Sequence, residues 1–385
     1  MMNSPTILQL LPSLVSGGIE RGSLDLAKAI IQANWRSIIV SRGGPLVSEV
    51  EQIGATHIKL PIHSKNPLCW RATFNSLVNL IYSENIDLIH ARSRIPAWLG
   101  LNATKRSRLP FVTTFHQHPH TSTFIKRGYN SVMARGDRVI AVSHYIANRL
   151  LVEYKIDKDR LRIIPRGVDL ELFAPNKVPT ERIIRVINKW QIPKSIPILL
   201  MPGRLSAWKG HRLVIDVLAH HLKRGSLYCL MVGDYTAKPK IKKVLESYAR
   251  ACGVDKFVQI VGCTDDMPAV YKLSDVVVSA SLIPEPFGRV MIEAQAMGRP
   301  IVAFNHGGAR ETVLMGETGW LVKPGDSKAL ANGILTALSL NKSERASLAT
   351  KAVANVREHF SCTKMCNSTL KVYKELLNTR GYSHL

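Results

Sequence analysis

Long apolar runs are missing from this 385-residue chain. None approaches the ~18 residues a bilayer-crossing helix needs, so no spanning anchor is expected. The opening Met1-Met2-Asn3-Ser4-Pro5 has no basic n-region, and Gln9 and Pro12 interrupt the apolar stretch that follows. That stretch reads as a buried strand and turn, not as an export signal. Cysteines are few and scattered: Cys69, Cys229, Cys252, Cys263, Cys362 and Cys366. Cys229 lies in an apolar strand pattern and is expected to be a core thiol. Cys362 and Cys366 would share a helix face, but no second ligand pair accompanies them, so two reduced thiols are expected rather than a metal site. A cytoplasmic setting fits this pattern. Acidic residues are also scarce: 28 Asp and Glu stand against 52 Lys and Arg, a formal net charge of +24. Such a surplus draws nucleotides, nucleic acid or an acidic membrane face, or is simply a solvated basic surface. With no recognition helix, zinc-finger spacing or aromatic-basic platform, nucleic acid is not expected as a partner. Solenoid repeats and low-complexity tracts are absent too.

Short apolar runs alternating with helical periodicity are what the chain does contain. Ile7–Leu11, Ser37–Ser41, Ile58–Leu60, Ile86–Ala91, Phe111–Phe115 and Val139–Val142 read as strands, with amphipathic Gly22–Gln32 and Ala72–Tyr82 among them. The series restarts at Ile198–Met201 and continues through Tyr228–Gly233, Phe257–Val261, Val276–Ala280 and Ile301–Phe304. Leu213–Leu222 and Arg289–Met297 are helical by period, as is Lys342–Leu377. The expectation is an α/β protein with two Rossmann-like, doubly wound domains facing a central cleft: residues 1–175, a linker 176–195, and residues 196–360. Ligands in such sheets bind at the carboxyl ends of the strands.

Five segments at strand ends can carry chemistry. Gly17-Gly18, between a strand and a helix, either lets backbone N–H groups reach an anion or makes a structural turn. Pro202-Gly203-Arg204 and Lys209-Gly210 put two cations where a diphosphate would lie; otherwise they are solvated loop charges. The strand Val276–Ala280 leads into Glu285-Pro286-Phe287-Gly288-Arg289, with Glu293 eight positions after Glu285. Gly288 and Arg289 open a helix whose N–H groups can hold phosphate, while carboxylates suit sugar hydroxyls. Asn305-His306-Gly307-Gly308 with Glu311 is a further strand–turn–helix, either a site element or a capped turn. Finally, His116 ends a first-domain strand, and His118 and His120 follow in an irregular segment; without an interleaved carboxylate they read as a loop over the cleft rather than as metal ligands.

This combination resembles the retaining glycosyltransferases of family 4 (glycosyl transferases group 1), which have the GT-B fold. Glu285 to Glu293, within Glu-Pro-Phe-Gly-Arg-Val-Met-Ile-Glu, is the most specific match. Gly17-Gly18, Gly203-Arg204, Lys209-Gly210 and Gly307-Gly308 with Glu311 match other family positions. Arg166-Gly167-Val168-Asp169 is similar to the family's Asn-Gly-Val-Asp, with Arg in place of Asn. Within the family, the chain looks most like alphaproteobacterial lipopolysaccharide-core and surface-polysaccharide transferases.

The resemblance implies roles. Arg204 and Lys209 would hold the donor diphosphate and Glu293 the ribose. Glu285, with the N–H groups of Phe287 and Gly288, would hold the transferred sugar. The N–H groups of Arg289 and Val290 would meet phosphate, Gly18 would admit the diphosphate, and His116 would touch the donor sugar. Residues 361–385 would return as a helix to the first domain. A nucleoside-diphosphate sugar would be the co-substrate, with no metal and no other cofactor, and a glycolipid or polysaccharide the acceptor. The enzyme would be a hexosyltransferase, peripheral on the inner face of an anionic membrane, where Lys105, Arg106, Arg108, Lys126 and Arg127 are candidate contacts. No carboxylate is placed as a covalent nucleophile, so front-face attack is expected. An epimerase on the same scaffold and a non-catalytic anion-binding scaffold are the alternatives.

Overall fold

The computed structural model describes residues 4–15, 17–64, 66–116, 123–193, 195–236 and 239–378. The chain divides into two compact units: residues 1–167 with 362–385, and residues 168–361.

The first unit holds strands β1 (Thr6–Leu10), β2 (Arg36–Ser41), β3 (Thr56–Lys59), β4 (Leu88–Ala91), β5 (Phe111–Phe115), β6 (Arg138–Ala141) and β7 (Leu161–Ile163). They form one sheet in the order β3-β2-β1-β4-β5-β6-β7, parallel throughout. The second unit holds β8 (Ile198–Pro202), β9 (Tyr228–Val232), β10 (Val258–Val261), β11 (Val276–Ser279), β12 (Ile301–Phe304) and β13 (Gly319–Val322). Their order is β10-β9-β8-β11-β12-β13, again parallel. Each unit is therefore a doubly wound, Rossmann-like sheet. β1, β4 and β8 are buried at every position, the near-continuous burial of parallel strands covered on both faces.

Each sheet changes winding direction once. The first switches between β1 and β4, the second between β8 and β11. Crossovers on either side of such a point leave in opposite directions, and a crevice opens at the strands' carboxyl ends. These two points locate the candidate sites.

Three differences from the sequence expectation are physical. First, residues 176–195 are not a bare linker: they carry the helix Thr180–Trp190, within the second unit. Arg182 Nε donates to Asp266 Oδ2 at 2.9 Å, tying this helix to the next layer. Second, the helical stretch from Lys342 is broken into Lys342–His359 and Cys362–Asn378, and the chain passes back to the first unit at the break. Third, β7 and β13 lie outside the strands that the sequence pattern marks. Both are edge strands; Arg162 interrupts β7 and Gly319 opens β13, so neither reads as an unbroken apolar strand.

The helix Cys362–Asn378 is part of the first unit's core. Met365, Leu370, Tyr373 and Leu377 pack with Ile7, Leu26, Leu88 and Val112. Buried His90 accepts or donates at both ring nitrogens, to Tyr373 Oη at 2.6 Å and Thr114 Oγ1 at 2.7 Å. Among the described residues, no helix is long and apolar enough to cross a membrane.

Candidate active site

In the second unit, β8 ends in Pro202-Gly203-Arg204, and a short 310 turn, Ala207–Lys209, precedes the helix His211–His220. Gly210 joins them at φ +81°, and a Cβ there would lie 2.0 Å from the carbonyl oxygen of Ala280. Only glycine allows this approach. It brings the β8 and β11 loops together, and with them Lys209 and Glu285. Lys209 Nζ lies 2.7 Å from Glu285 Oε1, both side chains more than four-fifths buried. Ser281 Oγ also donates to Glu285 Oε1, and Lys209 Nζ sits 4.5 Å from the centre of the Trp208 ring. Arg204 stays exposed; its charge helps hold the Asp234 carboxyl below the usual range, behind hydrogen bonds from Thr236.

Gly288, at φ +91°, starts the helix Arg289–Ala296. The first-turn N–H groups of Arg289 and Val290 have no intrahelical acceptor, and the helix dipole makes this end positive. Glu293 is one turn in. Its Oε1 pairs with Arg289 Nη2 at 2.9 Å, and its Oε2 accepts from Tyr271 Oη at 2.9 Å. Burial, then the neighbouring Glu293 charge, push the Tyr271 phenol well above its usual pKa; it stays a donor. Phe287 is buried and meets the Phe360 ring edge-on at 5.7 Å. The Gly307-Gly308 turn packs its backbone under this loop: Gly308 N donates to Glu285 O at 2.9 Å, and Cβ atoms on these glycines would strike Glu285 and Phe287. This turn is a support for the loop.

In the first unit, a cavity of about 510 Å³ opens at the β1/β4 switch point. Its walls include Arg92 and Arg94 after β4, His116 after β5, and the aromatic rings of Trp70 and Tyr129. His116 accepts at Nδ1 from Arg166 Nη1, 3.1 Å away. Burial first, and then the cations Arg166 and Arg92, hold the His116 imidazole well below its usual pKa. It is neutral, with its proton on Nε2, which has no partner among the described residues. Arg166 also donates through Nη2 to Gly18 O. So the arginine that replaces asparagine ties the Gly17-Gly18 turn to His116. Gly17 itself is extended; the tight position is Gly22, where a Cβ would meet Arg166 Nη2 at 2.6 Å. His118 and His120 lie outside the described residues.

Two family descriptions match successive parts of the chain: Glycosyltransferase Family 4 over residues 16–172 and Glycosyl transferases group 1 over residues 183–354. A D-inositol 3-phosphate glycosyltransferase from Xylanimonas cellulosilytica is 30% identical over 310 residues, 76% of this chain and 73% of that protein. The chain belongs to the group 1 glycosyltransferases. The crystal structure of a glycosyltransferase from Rickettsia africae ESF-5 is similar to this transferase at TM-score 0.89 and 38% identity, covering 97% of this chain and 99% of that one. Anabaena HepE, solved in complex with UDP and glucose, is similar at TM-score 0.84 and 26% identity, covering 97% of this chain and 100% of that one. The two sheets are those of a GT-B glycosyltransferase that uses nucleotide sugars.

Within this transferase, Lys209, Glu285, Phe287, Gly288, Arg289, Val290 and Glu293 come together in the second unit, with Gly203 and Arg204 on the adjoining loop. Gly17, Gly18 and His116 meet through Arg166 in the first. The sequence motifs do not single out Arg92 and Arg94, although both follow a strand end beside the switch point, where the strand-end rule places ligands. Nor do they single out Tyr271, whose only sequence signal is its place in an apolar helix. Among the described residues, Asp216, His220 and Cys252 bring donor atoms within 4.8 Å of one another. His220 ends its helix, so this group lies toward the far end of the sheet from Lys209.

Proposed function

We propose that this transferase moves a hexose from a nucleoside-diphosphate sugar, with retention of configuration, to a lipopolysaccharide core or similar surface-glycan acceptor. The observation that carries the reading is the Lys209–Glu285 pair beside the Arg289 helix start and Glu293, at the switch point of the second sheet. The donor lies there. As the glycosidic bond breaks, charge grows on the leaving diphosphate. Lys209 and the N–H groups of Arg289 and Val290 are fixed where that charge develops, which lowers the barrier, and the exposed Arg204 adds its charge from the adjoining loop. Glu293 accepts from the ribose hydroxyls and is oriented by Tyr271 and Arg289.

Glu285 is held by Lys209 and Ser281, so it suits hydroxyl recognition better than covalent attack. The departing phosphate takes the acceptor's proton in a front-face displacement. His116 Nε2 donates to the donor sugar. Lys209 and Arg204 take the place of a divalent ion, so transfer proceeds in EDTA. The UDP and glucose bound by HepE support a UDP-linked hexose as the donor.

The acceptor binds the first unit, at a membrane. Phe124 and Ile125 are 90% and 83% exposed, and they open a helix that continues into Lys126 and Arg127. Apolar side chains flanked by cations suit an anionic bilayer surface on its inner face. Transfer of labelled hexose from UDP-hexose to an envelope glycolipid extract tests the reading, with the anomeric configuration read by proton NMR. A retained anomer is expected; an inverted one, or donor turnover without any acceptor, contradicts it. Co-sedimentation should rise with anionic lipid and fall in Phe124→Ser/Ile125→Ser.

A further inference from the structure

We propose that the part of the acceptor entering the first unit's cavity carries a negative charge, a phosphate or carboxylate, held by Arg92, Arg94 and the start of the helix Arg94–Ser107. The inference rests on the transferase reading and deepens it. Three features of the cavity point the same way.

Arg92 is only 5% exposed. Its Nε has no hydrogen-bond partner, and among the described residues no carboxylate is paired with it in contact; the Asp25 charge, farther off, favours its charged form, but burial outweighs that help. Burying a guanidinium without an anion is costly, and removing its partner from such a site leaves an uncompensated charge. Arg92 nevertheless lines an open cavity, so a ligand anion can supply what the protein does not.

The helix that begins at Arg94 aims its N-terminus at the same space. It is fourteen residues long, and its N-cap residue, Ser93, makes no capping hydrogen bond with its side chain. Its first turn offers the N–H groups of Arg94 and Ile95, since Pro96 has none; these two have no intrahelical acceptor and stand at the positive end of the dipole, where an anion is favoured. Ser93, Arg94 and Ile95 all line the cavity.

No Asp or Glu lines the cavity among the described residues. A neutral sugar presents hydroxyl donors and is gripped by acceptors, usually carboxylates. This wall offers the reverse: two guanidinium groups and no carboxylate. Planar Arg forks fit the oxygens of phosphate or carboxylate two at a time. Trp70 and Tyr129 supply flat apolar faces for the ring or polyol that carries the anion.

The anion can come from a soluble sugar phosphate or from a lipid-linked glycan, and the same chemistry serves both. The test is calorimetric titration of the full chain, with the second unit's site saturated by UDP so that phosphate cannot bind there. Glucose 6-phosphate should bind at least about ten-fold more tightly than glucose, the effect of one or two charge-assisted hydrogen bonds. The preference should weaken with salt, disappear in Arg94→Gln at a half-buried position, and fall in Arg92→Lys, which keeps the charge but loses the planar fork. UDP affinity should be the same in Arg94→Gln as in wild type. Vesicles containing phosphatidic acid, set against phosphatidylcholine alone, separate the sources. Vesicle binding competed by glucose 6-phosphate assigns the anion to lipid, and indifference to vesicles assigns it to a soluble acceptor. Equal binding of glucose and glucose 6-phosphate with UDP binding intact overturns this inference alone, as does a preference that survives both substitutions. Loss of UDP binding in the wild type overturns the transferase reading instead.

Discussion

Arg166 Nη1 lies 3.1 Å from His116 Nδ1 and donates to it. A guanidinium has no acceptor, so this contact fixes the imidazole in its neutral form with the proton on Nε2. Arg166 is thus a positioning residue for His116. In Arg166→Ala, one of the cations that depress the His116 pKa is gone, and the tautomer is no longer set. We expect the His116 ring to titrate at higher pH than in wild type, and turnover to fall by about ten-fold. NMR of the ring nitrogens checks the first and steady-state kinetics the second. An unchanged His116 titration would show that Arg166 does not govern it.

Lys209 and Glu285 are each more than four-fifths buried and paired at 2.7 Å. Removing one leaves the other without its partner, so Lys209→Ala and Glu285→Gln should each destabilise. The double variant should lose less than the sum, with a coupling of about 1–3 kcal/mol. Urea unfolding of the four proteins measures it. Additive losses would mean that the pair is not a unit.

Gly210 permits the loop approach that creates this pair. Its φ is +81°, and Ala280 O lies only 2.0 Å from where a Cβ would stand. Gly210→Ala should therefore cost about 2 kcal/mol or more of stability and lower donor affinity. Full stability and full affinity in this variant, read by urea unfolding and UDP titration, would remove the backbone argument.

His90 is fully buried, and burial, with a smaller push from Arg92, holds it well below its usual pKa. The unfolded chain protonates this residue near pH 6.5 while the folded one does not. Stability is therefore present above that pH and falls as pH drops below it, by up to about 1.4 kcal/mol per unit from His90 alone. His90→Gln should flatten the slope between pH 6.5 and 5 by about that amount. Thermal or urea unfolding across this range reads it directly; a slope unchanged by the substitution would contradict it.

The sheets are legible in the sequence because central parallel strands are apolar along their whole length: β1, β4, β8 and β12 stand out as runs such as Ile-Leu-Leu-Met. The edge strands β7 and β13 carry no unbroken run: Arg162 interrupts β7. β13 opens with Gly319, required because a Cβ would lie 2.3 Å from Ile301 O, and glycine in a sequence reads as a break. The donor loop is legible because Glu285, Gly288 and Glu293 are close in sequence. The contacts that give it meaning are not: Glu285 meets Lys209 from 76 residues away, and Glu293 meets Tyr271 from 22. Arg166 shows in the sequence only as a departure from a motif. Its partners, His116 and Gly18, lie 50 and 148 residues off, and no spacing rule reaches that far.

The central claim is that the β8/β11 switch point is a working donor site, built on Lys209, Glu285 and Glu293. The most direct measurement is the thermal shift of wild type and Glu293→Ala with UDP, GDP, ADP and CMP, in EDTA and again with magnesium. A ligand at about 100 times its Kd stabilises by about 2.7 kcal/mol. One nucleoside diphosphate should shift the wild type by a few degrees in EDTA, and Glu293→Ala should lose the shift. A flat panel, or a shift that Glu293→Ala retains in full, would contradict it.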